Sequence, residues 1–92
     1  MIQTFKQKEL KKLYETGKSG KIKKQFQRRI LQILTLLNAA KEAEDMNFPG
    51  SKFQQLSGDK NDYYSVSVNH NYRIMFKFKE GEAFDVELID YH

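Results

Sequence analysis

The residues best suited to chemistry lie in the C-terminal third of the chain. The last three, Asp90, Tyr91 and His92, include two proton carriers and a carboxylate that can orient one of them by hydrogen bonding. Arg73 is the only arginine outside the helical part of the sequence, and its guanidinium can hold a phosphate with two parallel hydrogen bonds. Two alternatives remain open: an idle, frayed chain end, and a cross-strand ion pair between Arg73 and Glu87.

The same sequence gives no indication of a metal or a cofactor. It has no cysteine, and its two histidines, His70 and His92, lack metal-ligand spacing on one element. Neither a Walker sequence nor a dinucleotide-binding fingerprint occurs around Gly58. The absence of cysteine favours a reducing cytosol, so we expect a cytoplasmic protein. The longest apolar stretch, 30–37, is too short to span a membrane, and the N-terminus does not resemble a signal peptide. We therefore expect no membrane partner.

Positive charge is concentrated in the first third of the chain. Residues 1–29 contain ten Lys and Arg against two Glu, a balance of +8, whereas residues 30–92 contain six cations against ten acids, a balance of −4; together they give the net charge of +4. A helical surface rich in lysine can bind phosphates by releasing counterions. The candidates for this contact are Lys11, Lys12, Lys23 and Lys24. An ordinary solvated helix is the alternative.

The elements that position these residues follow from hydrophobic periodicity. The length of 92 residues fits a single domain, 1–92. Residues 2–5 alternate like a short strand, and 6–16 have a helical pattern that ends before Gly17 and Gly20. From 21 to about 45 the apolar residues recur at steps of three and four, which predicts one long helix. Pro49 follows, and proline cannot continue a helix.

After Gly50 the hydrophobic period changes to two, which predicts strands. A short strand near Phe53 and Leu56 precedes a polar loop. Three longer strands follow, and two hairpin turns connect them. Keeping one sheet face apolar sets the register: Val66 opposite Ile74, Tyr64 opposite Phe76, Phe76 opposite Val86, and Ile74 opposite Leu88. Both hairpins then need three-residue loops, with Gly81 in a left-handed conformation within a bulged turn.

The prediction is thus an α+β fold, with N-terminal helices packed on one face of a small, mostly antiparallel sheet. The second face stays open to solvent or ligand. It carries Arg73 and, by continuation, Tyr91. Tyr64 and Tyr72 are expected in the core, which leaves Tyr63 as the freer ring for stacking on a base.

These residues together resemble the HigB toxins of bacterial toxin-antitoxin pairs, in the RelE superfamily of mRNA interferases. The resemblance covers the whole chain and is most specific in four motifs: Leu56-Ser57-Gly58-Asp59, Tyr64-Ser65-Val66-Ser67-Val68-Asn69, Asn71-Tyr72-Arg73-Ile74 and Asp90-Tyr91-His92. It implies an endonuclease that cleaves mRNA on the ribosome without a cofactor. It also implies a HigA-like helix-turn-helix antitoxin as partner, with operator DNA reached only through the antitoxin complex.

The resemblance also implies roles for single residues. Arg73 is expected to hold the scissile phosphate, Tyr91 or His92 to move protons, and Asp90 to orient its neighbours. The expected RNA contacts are Gln54, Ser57, Lys60 and Asn71, with the lysines of the basic third touching ribosomal RNA.

Two positions depart from the family pattern. Gln54 stands where many members have His, and Ser57 stands where many have Lys. Neither side chain can supply positive charge, so cleavage is expected to be weak. Lys60 is a possible substitute contact, or an ordinary loop lysine. A toxin that binds ribosomes without cutting, and a co-repressor that acts at the operator, are therefore kept as alternatives.

Overall fold

Two helices pack against a four-stranded antiparallel sheet in the computed structural model, which describes residues 1–56 and 62–90. The elements in chain order are α1 (Lys8–Thr16), α2 (Lys24–Ala39), a 3-10 helix (Ala43–Met46), β1 (Gln54–Gln55), β2 (Tyr63–Ser67), β3 (Tyr72–Lys79) and β4 (Glu82–Asp90). The strands lie in sequence order, β1-β2-β3-β4. This architecture confirms the predicted α+β class.

The helices bury one apolar side each against the sheet. Leu10 and Leu13 of α1 are fully buried, as are four residues of α2: Ile30, Ile33, Leu34 and Leu37. Gly17 ends α1 in a left-handed conformation, φ 79°, and its N–H donates to the carbonyl of Leu13. Within the described ranges, neither helix combines the length and apolarity needed to cross a membrane.

The long helix is shorter than the predicted 21–45. It begins at Lys24 and ends at Ala39. The carboxylate of Asp45 accepts hydrogen bonds from the backbone N–H groups of Lys41 and Glu42. These bonds cap the start of the separate 3-10 helix. The apolar side continues to Met46 because this short helix is buried on the same core, so periodicity alone did not reveal the break.

The first hairpin has the predicted register. Tyr64 pairs with Phe76 and Val66 with Ile74, and all four side chains belong to or pack against the core. A hydrogen bond from the N–H of Val68 to the carbonyl of Tyr72 continues that register and leaves a three-residue loop, 69–71.

The second hairpin reaches its register in a different way from the one predicted. Its turn has only two residues, Glu80 and Gly81, between the pair Lys79 and Glu82. Both have positive φ, 53° and 80°, as a type I′ turn requires, so the left-handed Gly81 is confirmed and the three-residue loop is wrong. The extra residue lies instead within β4, because the register shifts between Met75 and Lys77.

That shift is a β-bulge at Asp85, whose φ is 52°. On the C-terminal side of the bulge, Ile74 pairs with Leu88, as predicted. Phe76 lies opposite the bulge and has no single paired residue in β4. Before it Phe84 pairs with Lys77, on the face away from the helices. The alternation of Phe84, Val86 and Leu88 in the sequence predicts that Phe84 shares the apolar face, and this prediction is wrong. Ala83 occupies that position and is fully buried.

The N-terminal segment runs parallel to β4. Ile2 bridges to Ala83 and Phe5 to Val86, with four backbone hydrogen bonds between the two segments. The predicted strand at 2–5 is thus present as two bridges at the edge of the sheet. It closes the core on that side, where both Ile2 and Phe5 pack.

Candidate active site

The sheet face turned away from α1 and α2 is called the outer face here. Residues paired across antiparallel strands share a face, so the pairing defines three rows on it: Tyr63, Lys77 and Phe84; then Ser65, Met75 and Glu87; then Ser67, Arg73 and Ile89. Gln54 of β1 pairs with Ser65 and extends the second row. Arg73 therefore lies on the outer face, as its strand alternation predicts.

Hydrogen bonds hold the Arg73 guanidinium in a defined position. Its Nε donates to Ser65 Oγ at 3.0 Å, and one terminal nitrogen donates to the carbonyls of Lys52 at 2.6 Å and Ser65 at 3.2 Å. Lys52 presents this carbonyl from a left-handed conformation, φ 47°, which is rare for a side-chain-bearing residue. The segment before β1 is thereby brought against the guanidinium.

The centre of the outer face is not open, contrary to the prediction. Arg73 is only 8 % exposed, and Ser65, Ser67 and Met75 are equally or more deeply buried. The Arg73 side chain extends towards β1, where its guanidinium donates hydrogen bonds to Ser65 and Lys52. Such a cation is less screened by water and keeps a fixed direction.

The other predicted site residues lie in different places. Gln54 is exposed beside Ser65. Asp90 pairs with Tyr72, so it projects on the helix side of the sheet and not beside Arg73. Asn71 is exposed in the first hairpin loop, where its N–H donates to the side chain of Asn69. Ser57, Lys60, Tyr91 and His92 lie outside the described residues.

The predicted basic contacts belong to the helix layer. Lys11 and Lys12 are exposed on α1, and Lys23 and Lys24 are exposed at the start of α2. The latter two border a surface groove with Lys18, formed where α1 ends and α2 begins. Because both helices cover the apolar face, these lysines and Arg73 lie on opposite sides of the sheet.

Tyr64 and Tyr72 share the helix-facing side of the sheet, as the alternation predicts, but neither is fully buried. Tyr64 stacks between Phe53 and Phe76, at 5.6 and 5.9 Å between ring centroids, and packs against the core. Tyr72 contacts Phe26 at 5.4 Å. Tyr63 is half-buried on the outer face.

Two carboxylates near the turn between β3 and β4, those of Asp85 and Glu82, accept hydrogen bonds from other parts of the protein. Asp85 accepts hydrogen bonds from the hydroxyls of Tyr63 and Thr4. A hydrogen bond from the Gln3 side chain lowers the pKa of Glu82, helped by the N-terminal ammonium at 3.3 Å. Their negative charge is thus directed towards the N-terminal segment and β2.

Sequence reasoning missed three features of this face: the Ser65 hydroxyl as a partner of Arg73, the Lys52 carbonyl, and the presence of Phe84. Alternation places Ser65 on the face, but only the fold shows how far the arginine reaches. In the described part of the chain, no three His, Cys, Asp or Glu side chains are grouped so that they could hold a metal ion. What the described face offers is an oriented cation beside an exposed amide, which suits a phosphate ester.

The fold is a small α+β domain with its helices on one face of an antiparallel sheet, as the resemblance to HigB toxins implies. Comparison with known proteins agrees. Residues 3–92 match the HigB-like toxin family, described as the RelE-like toxin of the type II toxin-antitoxin system HigB, and the chain belongs to this family.

Two relatives are similar along nearly their whole length. Endoribonuclease HigB of Proteus vulgaris is 37% identical over 92 residues, all of both chains. Toxin HigB-1 of Vibrio cholerae is 31% identical over 90 residues, 96% of this chain and 95% of the relative. These likenesses confirm the resemblance inferred from the motifs.

Solved structures show the same fold at lower identity. The YoeB-YefM toxin-antitoxin complex of Staphylococcus aureus contains a chain with a TM-score of 0.64 and 18% identity, covering 100% of this chain and 95% of that one. The YoeB dimer from the same organism has a TM-score of 0.62 and 17% identity, covering 99% and 94%. The chain is thus a toxin of a type II toxin-antitoxin system with a RelE-like fold.

Proposed function

We propose that this toxin is an endoribonuclease that cleaves mRNA on the ribosome, inhibits translation and growth, and is neutralised by a helix-turn-helix antitoxin. The full-length likeness to a relative named as an endoribonuclease supports the activity. Similarity to a fold seen in a toxin-antitoxin complex supports the antitoxin partner. The basic first third of the chain suits contact with ribosomal RNA.

The observation that carries the proposal is the buried, oriented Arg73 guanidinium on the outer face. When the RNA 2′-oxygen attacks the neighbouring phosphorus, negative charge gathers on the phosphate oxygens. A cation fixed by Ser65 and Lys52 in a low-dielectric setting stabilises that charge without first having to reorganise.

The proton steps need a base for the 2′-hydroxyl and an acid for the leaving 5′-oxygen. Bond formation to the 2′-oxygen and loss of the 5′-oxygen yield a 2′,3′-cyclic phosphate and a 5′-hydroxyl end, with no change in the number of protons. Tyr91 and His92 are the proposed carriers. Asp90 projects on the helix side, so its proposed role is to orient its chain neighbours and not to touch the phosphate.

Induced expression in bacteria tests the activity. The intact chain should stop growth, and primer extension should find new message ends on translating ribosomes. Arg73→Lys, which keeps the charge but loses the planar fork, and deletion of Tyr91 and His92 should each abolish both effects. Lys41→Ala, at an exposed lysine outside the sheet, is the matched control. Cut ends that persist in both altered chains, at equal protein levels, would contradict the assigned roles.

A toxin that occupies the ribosome without cutting is the second candidate, favoured by the exposed amide of Gln54 beside Ser65. Because an amide carries no charge and no proton to exchange near neutral pH, it offers a contact and not catalysis. On this alternative, the chain sediments with ribosomes at low salt, dissociates as salt rises, and leaves no cut ends. Gln54→His should then restore cleavage, whereas the endonuclease proposal requires cut ends from the unaltered chain.

A further inference from the structure

The bulge in β4 turns an aromatic side chain onto the outer face. Without the extra residue at Asp85, Phe84 would continue the apolar alternation of Val86 and Leu88 into the core. With it, Phe84 pairs with Lys77 and is half-buried. Among the described residues, the half-buried apolar side chains packed against the core do not include Phe84. Bulges often redirect a side chain next to a functional site.

Two lysines flank this ring. Phe84 lines a pocket of about 330 Å³ together with both lysines, Lys77 and Lys79, and with Thr4 and Asp85. Neither lysine forms an ion pair with any residue in the ranges 1–56 and 62–90. The pocket is at the small end for ligand sites, so it suits a single ring and not an extended ligand.

Two nearby carboxylates, Asp85 and Glu82, accept hydrogen bonds from other parts of the protein and keep their negative charge. The carboxylate of Asp85 accepts hydrogen bonds from Thr4 and Tyr63, at 3.3 and 3.4 Å. Glu82 is bound to Gln3 at 2.7 Å and to the N-terminal ammonium. Both carboxylates are therefore bound by other groups of the protein, whereas Lys77 is half-buried and Lys79 is exposed.

The pocket is placed to extend the candidate active site. Lys77 and Arg73 lie on the same strand and the same face, four residues apart, which is about 13 Å at the rise of a strand. A single-stranded RNA whose phosphate lies at Arg73 can reach the pocket within a few nucleotides. Aromatic rings beside cations are the usual elements of single-strand binding, because every base has a stacking face.

We propose that Phe84, Lys77 and Lys79 form an RNA subsite in which one base near the cleaved bond stacks on Phe84 and adjoining phosphates contact the two lysines. The inference rests on the proposed endoribonuclease function and adds the site that holds the message beside Arg73.

Binding of a non-cleavable strand tests the subsite in the full-length chain. The probe is a fluorescein-labelled, 2′-O-methylated strand of about ten nucleotides, compared with an abasic strand of the same backbone. The intact chain should bind the base-bearing strand more tightly. Phe84→Leu should weaken that binding about tenfold and leave the abasic strand unaffected. Phe84→Trp should retain the preference, and Phe48→Leu, a half-buried phenylalanine outside the sheet, is the matched control.

The lysines are tested by salt dependence. Lys77→Gln and Lys79→Gln should each lower the slope of log affinity against log salt by about 0.7, the value for one phosphate contact on a single strand. Lys41→Gln should leave the slope unchanged. Urea unfolding of each variant identifies any that fail to fold. If Phe84→Leu does not fold, the binding of Phe84→Trp and of the two lysine variants tests the subsite instead.

The outcomes separate this inference from the proposed function. Equal binding of base-bearing and abasic strands by the intact chain overturns the subsite, as does unchanged binding by Phe84→Leu. Neither result affects the endonuclease proposal if the intact chain still cuts messages. A chain that binds the strand through Phe84 but never cuts messages supports the subsite and removes the proposed catalysis.

Discussion

Replacement of Arg73 by alanine should destabilise the fold as well as remove a charge. The change deletes three hydrogen bonds from a buried guanidinium and leaves the Ser65 hydroxyl and two carbonyls without that donor. A net loss of about 1.5 to 3 kcal/mol is typical for one hydrogen bond to a charged group. The alanine variant no longer has to bury a cation, and this gain offsets part of the stability lost with the three hydrogen bonds. We therefore expect a loss of about 3 kcal/mol in the free energy of unfolding.

For a domain of this size, that loss should lower Tm by roughly 10 to 25 °C. Urea and thermal unfolding followed by circular dichroism measure both quantities. Lys77→Ala is the matched control, a cation on the same strand and face, and should cost no more than about 0.5 kcal/mol. A double-mutant cycle with Ser65→Ala should give a coupling energy of about 1.5 kcal/mol. A loss below about 1 kcal/mol for Arg73→Ala, or no coupling, would refute the view that these acceptors hold the guanidinium.

Three further changes test local features of the fold. Backbone N–H groups lower the pKa of Asp45 from its usual value of 3.8, so its carboxylate stabilises the fold above that pH and loses this effect as pH falls. Asp45→Asn should therefore have a lower urea midpoint than the intact chain at pH 7, and the difference should shrink by about pH 3. Gly17→Ala should lower the free energy of unfolding by about 1 kcal/mol, because Gly17 has a φ of 79°. Gly20 has no positive φ, so Gly20→Ala should not destabilise the chain in the same unfolding assay. Lys52→Gly should change the free energy of unfolding by less than about 1 kcal/mol and keep growth inhibition, because Lys52 contacts Arg73 through its backbone carbonyl and not its ammonium. Loss of toxicity in a folded variant would contradict this role.

These experiments also separate the two ways in which Arg73 matters. Loss of toxicity after Arg73→Ala would not distinguish missing charge from a loosened fold, because both are expected. Arg73→Lys in a background of measured stability isolates the planar fork. Phe84→Leu and the two lysine variants change the same face without touching the hydrogen bonds of the arginine. Together they show whether the outer face acts as one RNA-binding surface.

The amino-acid sequence by itself determined the class of the fold, the faces of its helices and the first hairpin. Alternation of Tyr64, Val66, Ile74 and Phe76 sets that register, because a slip of one residue would expose all four side chains. The same alternation places Arg73 on the helix-free face. The family follows from local motifs around these positions, and a local motif does not depend on distant contacts.

Tertiary structure alone decided the second hairpin and the surroundings of the arginine. A two-residue turn at Glu80 and Gly81 and an apolar pairing of Ile74 with Leu88 require registers that differ by one residue, and the bulge at Asp85 reconciles them. Phe84 reaches the outer face only through this non-local compromise. The acceptor that Lys52 offers to Arg73 likewise depends on where the chain enters β1, twenty-one residues earlier in the sequence.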